Sequence, residues 1–297
     1  MAAKTVTLLQ TISFIVFIIM MSAIATTNSL PFVVFHGISD ECSSVKVSNF
    51  TQKLINWSSS QGYCIEIGNG VLDSWFMPVM NQTAIACEKV KNISELSDGY
   101  NIVAISQGNL VGRGVVEFCD GAPPVKNFIS LGGPHAGVAA PPCSEESECK
   151  MLEDILVKFG VYSKFAQEHL APAGFIKIPT EIEEYLQGSK FLPKLNNEIS
   201  NSRHSIYKER FTSLENLVLI MFDQDSVLIP KETSWFGYYR EGSLDTVLPA
   251  NETTLYTEDW IGLKTLVEAG SVKFINVSGG HVDISDNDMK KYIVPYI

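Results

Sequence analysis

Six short apolar runs, spread along almost the whole chain of 297 residues, limit the possible folds more than any other feature of the sequence. Each run is rich in aliphatic or aromatic residues and is closed by glycine or by a small polar residue. Runs of this kind are typical of strands that are buried on both faces of a sheet. The runs span 30–35, 63–67, 101–105, 128–131, 217–222 and 272–277.

Apolar residues with helical spacing lie between these runs, most clearly at 111–118, at 263–267 and at 289–296. The alternation of strand and helix predicts an α/β fold, with a mostly parallel sheet flanked by helices on both faces. In such sheets, ligands bind beyond the carboxyl ends of the strands. The polar residues that close the apolar runs are therefore the first candidates for a functional site.

The alternation breaks between about 140 and 210. This stretch holds Pro141, Pro142 and two cysteines, with helical patterns but no convincing buried strand. We interpret it as a helical insertion, a cap, that lies over the sheet edge. The expected organisation is one domain at 26–297 that carries the cap at about 140–210.

The first 25 residues have the order of a secretory signal peptide. Lys4 is the only charged residue before Ser29, an apolar stretch follows it, and Ala23 and Ala25 offer a small-x-small cleavage site. The alternative is an uncleaved anchor helix, because residues 6–25 are nearly long enough to cross a bilayer. Polar residues inside the stretch favour cleavage, after which no stable membrane insertion is expected.

Sequons and cysteines independently indicate export. Six Asn-x-Ser/Thr sequons predict exposed, glycosylated loops, and six cysteines without C-x-x-C spacing favour disulfides over a zinc site. Cys143 and Cys149 bracket a short polar loop and are expected to pair locally. The predicted location is the secretory pathway, with a lysosome, a vacuole or the cell exterior as destination. The sequons lie at Asn49, Asn56, Asn81, Asn92, Asn251 and Asn276.

The charge balance disfavours nucleic acid and acidic membrane surfaces as partners. Lys and Arg number 22 against 33 Asp and Glu, which gives a net charge of −11, and no basic run interrupts the acidic excess. The content of hydrophobic residues, 45%, excludes a disordered chain.

Ser106 follows the third apolar run directly, in the segment Ala-Ile-Ser-Gln-Gly at 104–108. A serine on a sharp turn from strand to helix is the nucleophile elbow of serine hydrolases, where the usual pattern is G-x-S-x-G. Ala104 departs from that pattern. The alternative is an ordinary strand-to-helix turn in which Ser106 caps the helix.

A serine nucleophile needs a base and an acid that orients it. His281 follows the last apolar run in a glycine-rich loop, where the chain order Ser…Asp…His places the base. His135 is a weaker competitor. Asp223 and Asp225 both follow the fifth run, and their spacing does not choose between them. The alternatives are a surface histidine and an Asp-rich turn.

An oxyanion hole needs two backbone N–H groups aimed at the reacting oxygen. The residue after the nucleophile, Gln107, supplies one of them. Ile38, in the loop after the first run, suits the other role, while the neighbouring His36 is expected to be structural.

With these residues in place, the chain resembles the palmitoyl-protein thioesterases, which are lysosomal α/β-hydrolases that remove fatty acyl groups from cysteines. The resemblance covers most of the chain after the predicted signal peptide, and it is strongest near the carboxyl end. The matching segments are His-Gly-Ile-Ser-Asp at 36–40, Ile-Ser-Gln-Gly at 105–108, Tyr-Ser-Lys at 162–164, Trp-Phe-Gly-Tyr-Tyr at 235–239, Glu-Thr-Thr-Leu-Tyr-Thr at 252–257 and Gly-Leu-Lys at 262–264.

The resemblance implies an α/β-hydrolase fold with Ser106, Asp225 and His281 as the catalytic triad, and so selects Asp225 over Asp223. It also implies the disulfides Cys87–Cys119 and Cys143–Cys149, which leave Cys42 and Cys64 as the third pair. Three positions depart from the family pattern: Ala104 and Asn109 stand where glycines are usual, and Gly280 stands where an acidic residue usually precedes the histidine.

The implied reaction is hydrolysis of long-chain acyl thioesters through an acyl-enzyme on Ser106, without a metal or another cofactor. S-acylated proteins or peptides are the expected substrates, and a monomer is favoured. We expect the cap together with Trp235 and Phe236 to form the acyl groove, and maximal rate near neutral pH because His281 must be neutral to act as the base. The alternatives are an esterase or lipase that cleaves oxygen esters, and a catalytically weak lipid-binding homologue.

Overall fold

The computed structural model describes residues 29–143 and 145–297. The predicted signal peptide at 1–25 lies outside the described residues. Within the described ranges, no helix combines the length and the apolar character that a bilayer span requires.

Six strands form one parallel sheet in the order β2-β1-β3-β4-β5-β8. The two remaining strands pair with each other as a separate antiparallel ribbon. The strands are β1 (Phe32–Phe35), β2 (Gly62–Cys64), β3 (Tyr100–Ile105), β4 (Val125–Leu131), β5 (Asn216–Phe222), β6 (Tyr238–Tyr239), β7 (Val247–Leu248) and β8 (Val272–Val277).

Every one of the six apolar runs forms a strand of this sheet, which confirms the predicted fold class. The prediction that both faces of each strand are buried is confirmed for the four central strands and is wrong for the two outer ones. β2 is half-buried, and Lys273, Phe274 and Asn276 of β8 are exposed. An outer strand has a neighbour on one side only, so less of its surface is covered. The β6–β7 ribbon was not predicted, because two residues are too few to show an alternating pattern.

Twelve α-helices are described along the chain. Three of them, α4, α11 and α12, carry the three helical patterns recognised in the sequence. The helices are α1 (Val45–Ser58), α2 (Val71–Phe76), α3 (Val79–Lys91), α4 (Gly108–Phe118), α5 (Glu146–Phe159), α6 (Lys164–His169), α7 (Ile182–Gly188), α8 (Leu192–Leu195), α9 (Ser205–Thr212), α10 (Thr254–Thr257), α11 (Leu263–Glu268) and α12 (Asp286–Tyr292).

Helices cover both faces of the sheet, and the sheet separates the core into two clusters. Alternate residues of β1 show the division: Val33 and Phe35 join the cluster beneath α3 and α4, whereas Phe32 and Val34 join the cluster beneath α1 and α12. This is the alternation expected of a strand with two buried faces. The molecule is therefore a three-layer α/β structure, with helices on both faces of a parallel sheet.

The described part of the chain between β4 and β5 contains helices α5 to α9 and no strand, apart from a single bridge between Val138 and Ile176. The two strands that the segment connects, β4 and β5, are adjacent and inside the sheet. The last helix of the segment, α9, returns to the body of the domain. Its Arg210 donates to the carbonyl of Glu117 at the end of α4.

Three disulfides cross-link the described residues, and they join Cys42 to Cys64, Cys87 to Cys119, and Cys143 to Cys149. The first ties the loop after β1 to the end of β2, and the second ties α3 to the end of α4. The third links the segment after β4 to α5. No free cysteine remains among the residues that the structure describes.

All six sequon asparagines are exposed. Four of them lie in helices or strands and not in the loops that the sequence predicts. Asn49 and Asn56 lie in α1, Asn81 lies in α3, and Asn276 lies on the outer strand β8. Each of these four occupies the solvent side of a regular element, so exposure does not require a loop.

Candidate active site

Ser106 occupies a tight turn between β3 and α4. Its φ angle is +51°, in the left-handed region that a residue with a side chain rarely adopts. Two glycines make room for the turn: a Cβ at Gly108 would lie 2.4 Å from the carbonyl oxygen of Phe35, and one at Gly37 would lie 3.1 Å from Cβ of Ser106. This is the geometry of a nucleophile elbow, in which the serine hydroxyl stands above the carboxyl edge of the sheet.

The Ser106 hydroxyl lies 2.8 Å from Nε2 of His281, and Nδ1 of the same ring lies 2.7 Å from Oδ2 of Asp225. These distances are those of hydrogen bonds. The side chain of Asp225 is 1% exposed and that of His281 is 13% exposed, so the carboxylate is shielded while the ring still reaches solvent. The three residues come from the ends of β3, β5 and β8, which are brought together by the parallel sheet.

Asp225 and Asp223 have different partners. The Oδ1 atom of Asp225 accepts hydrogen bonds from the backbone N–H groups of Val227 and Leu228, at 2.9 and 3.0 Å, which leaves Oδ2 for the imidazole. Asp223 instead accepts from the N–H of Gly279, at 3.2 Å. Asp225 therefore orients the ring, and Asp223 anchors the loop that carries it.

The loop after β1 passes directly beside the nucleophile. The Ser39 N–H donates to the Ser74 hydroxyl at 3.0 Å, and the indole N–H of Trp75 donates to the Ser39 hydroxyl at 2.7 Å. Two residues of helix α2 therefore hold this loop in place through hydrogen bonds to Ser39. Among the described residues, the N–H of Ile38 donates to no protein acceptor, so it is free to bind a developing oxyanion.

The Gln107 N–H is likewise without a protein acceptor within the described ranges. Its side chain is buried, and Nε2 donates to the carbonyl of Ser74 at 2.8 Å. Gln107 and Ile38 are therefore both braced against α2. Neither the sequence motif nor its spacing had indicated this helix as a support for the two N–H groups.

A cavity of about 390 Å³ opens at Ser106 and His281. This volume falls within the range of small-molecule sites. Both apolar and polar side chains line the cavity around the reacting atoms. The lining includes Ile38, Ile105, Pro142, Cys143, Val227 and Val282, with Asp40, Ser44, Lys46 and Glu148 as the polar and charged members.

Trp235 and Phe236, the expected acyl-groove residues, do not line this cavity. The indole N–H of Trp235 donates to the carbonyl of Leu219, and its ring packs edge-on against Phe274. Phe236 is buried and stacks on His135. The chain turns after β5 toward the neighbouring strands and α4, so these aromatic rings pack into the domain core rather than against the site.

Two positions that depart from the family pattern are also buried. Ala104 is part of the core cluster beneath α4, where its methyl group is accommodated. Asn109 donates through Nδ2 to the carbonyls of Ser106 and Leu131, at 2.9 and 3.1 Å. The sequence showed Asn109 as a departure but gave no signal of these contacts.

His135, the competing base, has no access to the site. It is fully buried, and its Nε2 lies 2.8 Å from the Ser130 hydroxyl. Burial, together with the charge of Arg113, lowers the pKa of His135 well below its ordinary value. His135 is therefore a neutral core residue.

Two charged residue types contact each other on a fully buried part of α4. Arg113 contacts Glu117 at 2.9 Å, and its guanidinium also stands over the rings of Phe211 and Phe236. Burial raises the pKa of Glu117 to about 7. This pair belongs to the core and takes no part in the site.

Only one group of possible metal ligands converges within the described ranges, and it consists of His36, Cys42 and Glu66. The sulfur of Cys42 is bonded to Cys64, so it is not available as a thiolate ligand. His36 and Glu66 bind each other at 3.0 Å, and Glu66 also accepts from the N–H of Cys42. The group therefore acts as a brace for the loop after β1.

Comparison with known proteins shows which family this chain resembles. A family model described as palmitoyl protein thioesterase matches residues 31–281. Palmitoyl-protein thioesterase 1 of Caenorhabditis elegans is 38% identical over 281 residues, which cover 90% of this chain and 93% of that protein. Palmitoyl-protein thioesterase 3 of Dictyostelium discoideum is 31% identical over 290 residues, with coverage of 97% and 96%.

Other similarities are more distant. Lysosomal thioesterase PPT2-B of Xenopus laevis is 32% identical over 61% of this chain and 62% of that protein. Among solved structures, an extracellular α/β-hydrolase from Paenibacillus species has a TM-score of 0.46 at 12% identity, and the match covers 90% of this chain and 99% of that one. The matched range of the family model contains Ser106, Asp225 and His281, and the chain belongs to the palmitoyl protein thioesterase family.

Proposed function

We propose that this protein hydrolyses long-chain acyl thioesters of cysteine, with S-palmitoylated proteins or peptides as its substrates. The observation that carries the proposal is the continuous chain of hydrogen bonds from Asp225 through His281 to Ser106 at a partly apolar cavity. Relatives that cover almost the whole chain are named palmitoyl-protein thioesterases.

In the first step, the Ser106 Oγ attacks the thioester carbonyl while its proton passes to Nε2 of His281. Asp225 stabilises the imidazolium that forms. The oxyanion accepts hydrogen bonds from the N–H groups of Ile38 and Gln107, which have no other protein acceptor among the described residues. The carbon–sulfur bond then breaks, and the cysteine leaves with the proton held by His281.

In the second step, water attacks the acyl-enzyme carbonyl while His281 takes a proton from it. The bond to Ser106 breaks, the serine recovers its proton, and the fatty acid departs. A thiol with an ordinary pKa near 8.5 is a far better leaving group than an amine, so the first step needs little acid assistance. No step requires a metal or another cofactor.

The acyl chain would occupy the apolar part of the cavity, against Ile38, Val227 and Val282. Each buried methylene is worth about 0.8 kcal/mol, which favours long chains over short ones. Asp40, Lys46 and Glu148 at the wall would face the peptide part of the substrate. Because Pro142, Cys143 and Glu148 belong to the segment at about 140–210, that segment would act as a cap over the site.

The proposal includes the setting in which the protein acts. Three disulfides and six exposed sequon asparagines favour folding and glycosylation in the secretory pathway. A lysosomal or vacuolar destination is supported by the relatives named lysosomal thioesterases. The signal peptide at 1–25 would be removed, and the mature chain would act as a monomer.

The test compares S-acyl cysteine peptides with the matched O-acyl serine peptides, in two series whose acyl chains increase in length up to palmitoyl. We expect the thioester to be cleaved faster, and its kcat/KM to rise with chain length. Faster cleavage of the oxygen ester would show an esterase or lipase instead. Rates that stay flat from short to long chains would contradict the acyl site in this cavity.

A further inference from the structure

The side chain of Asn109 joins two structural elements behind the nucleophile. It lies in the first turn of α4 and is fully buried. Its Nδ2 donates to the carbonyl of Ser106, on the elbow, and to the carbonyl of Leu131, at the end of β4. The elbow and the neighbouring strand are therefore held together by one amide group.

The two carbonyl oxygens make the orientation of this amide unambiguous. Only a donor is favourable opposite two acceptors, so the Nδ2 faces them and Oδ1 points away. Oδ1 is buried without a partner among the described residues. A buried polar atom without a partner costs free energy. A smaller residue at position 109 would have no such atom and would avoid this cost.

The Leu131 carbonyl accepts two hydrogen bonds, because the N–H of Ser106 also donates to it, at 2.9 Å. The next residue of the same strand end, Gly132, packs against the catalytic base. A Cβ at Gly132 would lie 3.2 Å from Cε1 of His281. The end of β4 is thus in contact with both partners of the proton transfer.

We propose that Asn109 is a positioning residue that holds the strained Ser106 turn against the end of β4, and so keeps the Ser106 hydroxyl within reach of His281. The Ser106 backbone is in the left-handed region, which is unfavourable for a residue with a side chain. The Asn109 amide opposes relaxation of this turn, since relaxation would break its hydrogen bonds to the carbonyls of Ser106 and Leu131.

The inference rests on the proposed nucleophilic role of Ser106 and not on the identity of the substrate. A fluorophosphonate probe reports on it directly. The Ser106 Oγ attacks phosphorus, the phosphorus–fluorine bond breaks, fluoride leaves, and His281 accepts the serine proton. Because the probe carries neither a thioester nor a palmitoyl chain, its labelling rate does not depend on which substrate the protein cleaves.

The main variant is Asn109→Ala, compared with the wild-type protein at a temperature well below unfolding. We expect the maximal labelling rate to fall about tenfold, which is the effect of losing roughly one buried hydrogen bond in the transition state. Affinity for the probe should change less than twofold, because Asn109 does not line the cavity. The kcat for a thioester should fall by the same factor with little change in KM.

Two further variants separate positioning from stability. Asn109→Asp keeps the shape but replaces the donor by an acceptor, and it should lose at least as much labelling rate. Asn101→Ala removes a buried asparagine from the start of β3, the strand that leads into the Ser106 turn, where its oxygen accepts from Asn127. It should lower the unfolding temperature while the labelling rate stays at the wild-type value.

A wild-type labelling rate in Asn109→Ala, whether or not its unfolding temperature drops, would overturn the proposal. A loss of the same size in Asn101→Ala would also overturn it, because the effect would then follow from general destabilisation.

Discussion

The carboxylate of Asp225 lies 2.7 Å from Nδ1 of His281, and its second oxygen is held by two backbone N–H groups. Asp223, two residues earlier in the chain, binds the N–H of Gly279 and does not touch the ring. Two aspartates that look equivalent in the sequence therefore have separate roles: one orients the base, and the other fixes its loop.

Replacement of the two aspartates should give losses of very different size. Asp225→Asn removes the charge that stabilises the imidazolium and favours the wrong tautomer, so we expect kcat to fall by about 10³–10⁴. Asp223→Asn weakens one loop anchor and should lower kcat less than about tenfold. Steady-state kinetics on an S-palmitoyl peptide measure both. Equal losses would mean that the two carboxylates share one function.

The side chain of Gln107 should matter for rate rather than for substrate binding. Gln107→Ala removes the hydrogen bond to the Ser74 carbonyl, which braces one oxyanion donor against α2. We expect kcat to fall about tenfold with KM nearly unchanged. Gln167→Ala is the matched control, since Gln167 is also buried and binds two backbone carbonyls, those of Val161 and Ala173, away from Gln107. A loss of the same size in the control would show a general effect of removing a buried amide.

The disulfide between Cys143 and Cys149 should affect the acyl site. Cys143 lines the cavity, and Cys149 lies in α5 next to Glu148, which lines it as well. In the double variant Cys143→Ser/Cys149→Ser, we expect KM for the S-palmitoyl peptide to rise several-fold with a smaller change in kcat. The free energy of unfolding should fall by roughly 2 kcal/mol. An unchanged KM would show that this part of the wall does not contact the substrate.

Stability should depend on pH through Glu117. Its pKa is raised by burial from 4.5 to about 7, so the folded state binds a proton that the unfolded state releases in this window. The resulting stabilisation is fully present below pH 4.5 and is lost as the pH rises to about 7. Between pH 5 and pH 7, wild type should lose about 2 kcal/mol more unfolding free energy than Glu117→Gln.

Urea unfolding of both proteins at the two pH values measures this difference. His135 is titrated only on unfolding in both proteins, because burial keeps it neutral in the folded state, so its contribution cancels in the comparison. Parallel pH dependence of the two proteins would contradict a proton on Glu117.

The sheet could be predicted from the sequence because its signal is local. A strand covered by helices on both faces needs consecutive apolar residues, and each of the six runs became a strand in parallel order. The outer strands show the limit of this argument. The residues 272–277 are apolar enough to look buried, yet their exposure depends on which strand lies at the edge, and that depends on the order of the whole sheet.

The site was partly predictable for the same reason. Polar residues at the ends of buried strands meet at one edge, so Ser106 and His281 could be named without any contact information. The contacts of Gln107 with Ser74, and of Asn109 with Leu131, join segments far apart in the sequence and have no periodic signal. The hydrophobicity of Trp235 and Phe236 indicates burial but does not say which cavity or core the rings enter, and Phe236 lines a separate cavity with residues of α7.

The most direct test of the central claim is the rate of S-palmitoyl peptide hydrolysis by Ser106→Ala, measured beside wild type in a protein with an unchanged unfolding temperature. We expect that wild type releases palmitate and that the variant loses at least about 10³-fold in kcat, because Ser106 carries the only cavity-lining hydroxyl among the described residues that is hydrogen-bonded to His281. A variant that retains more than about a tenth of the wild-type rate would contradict catalysis by Ser106, His281 and Asp225.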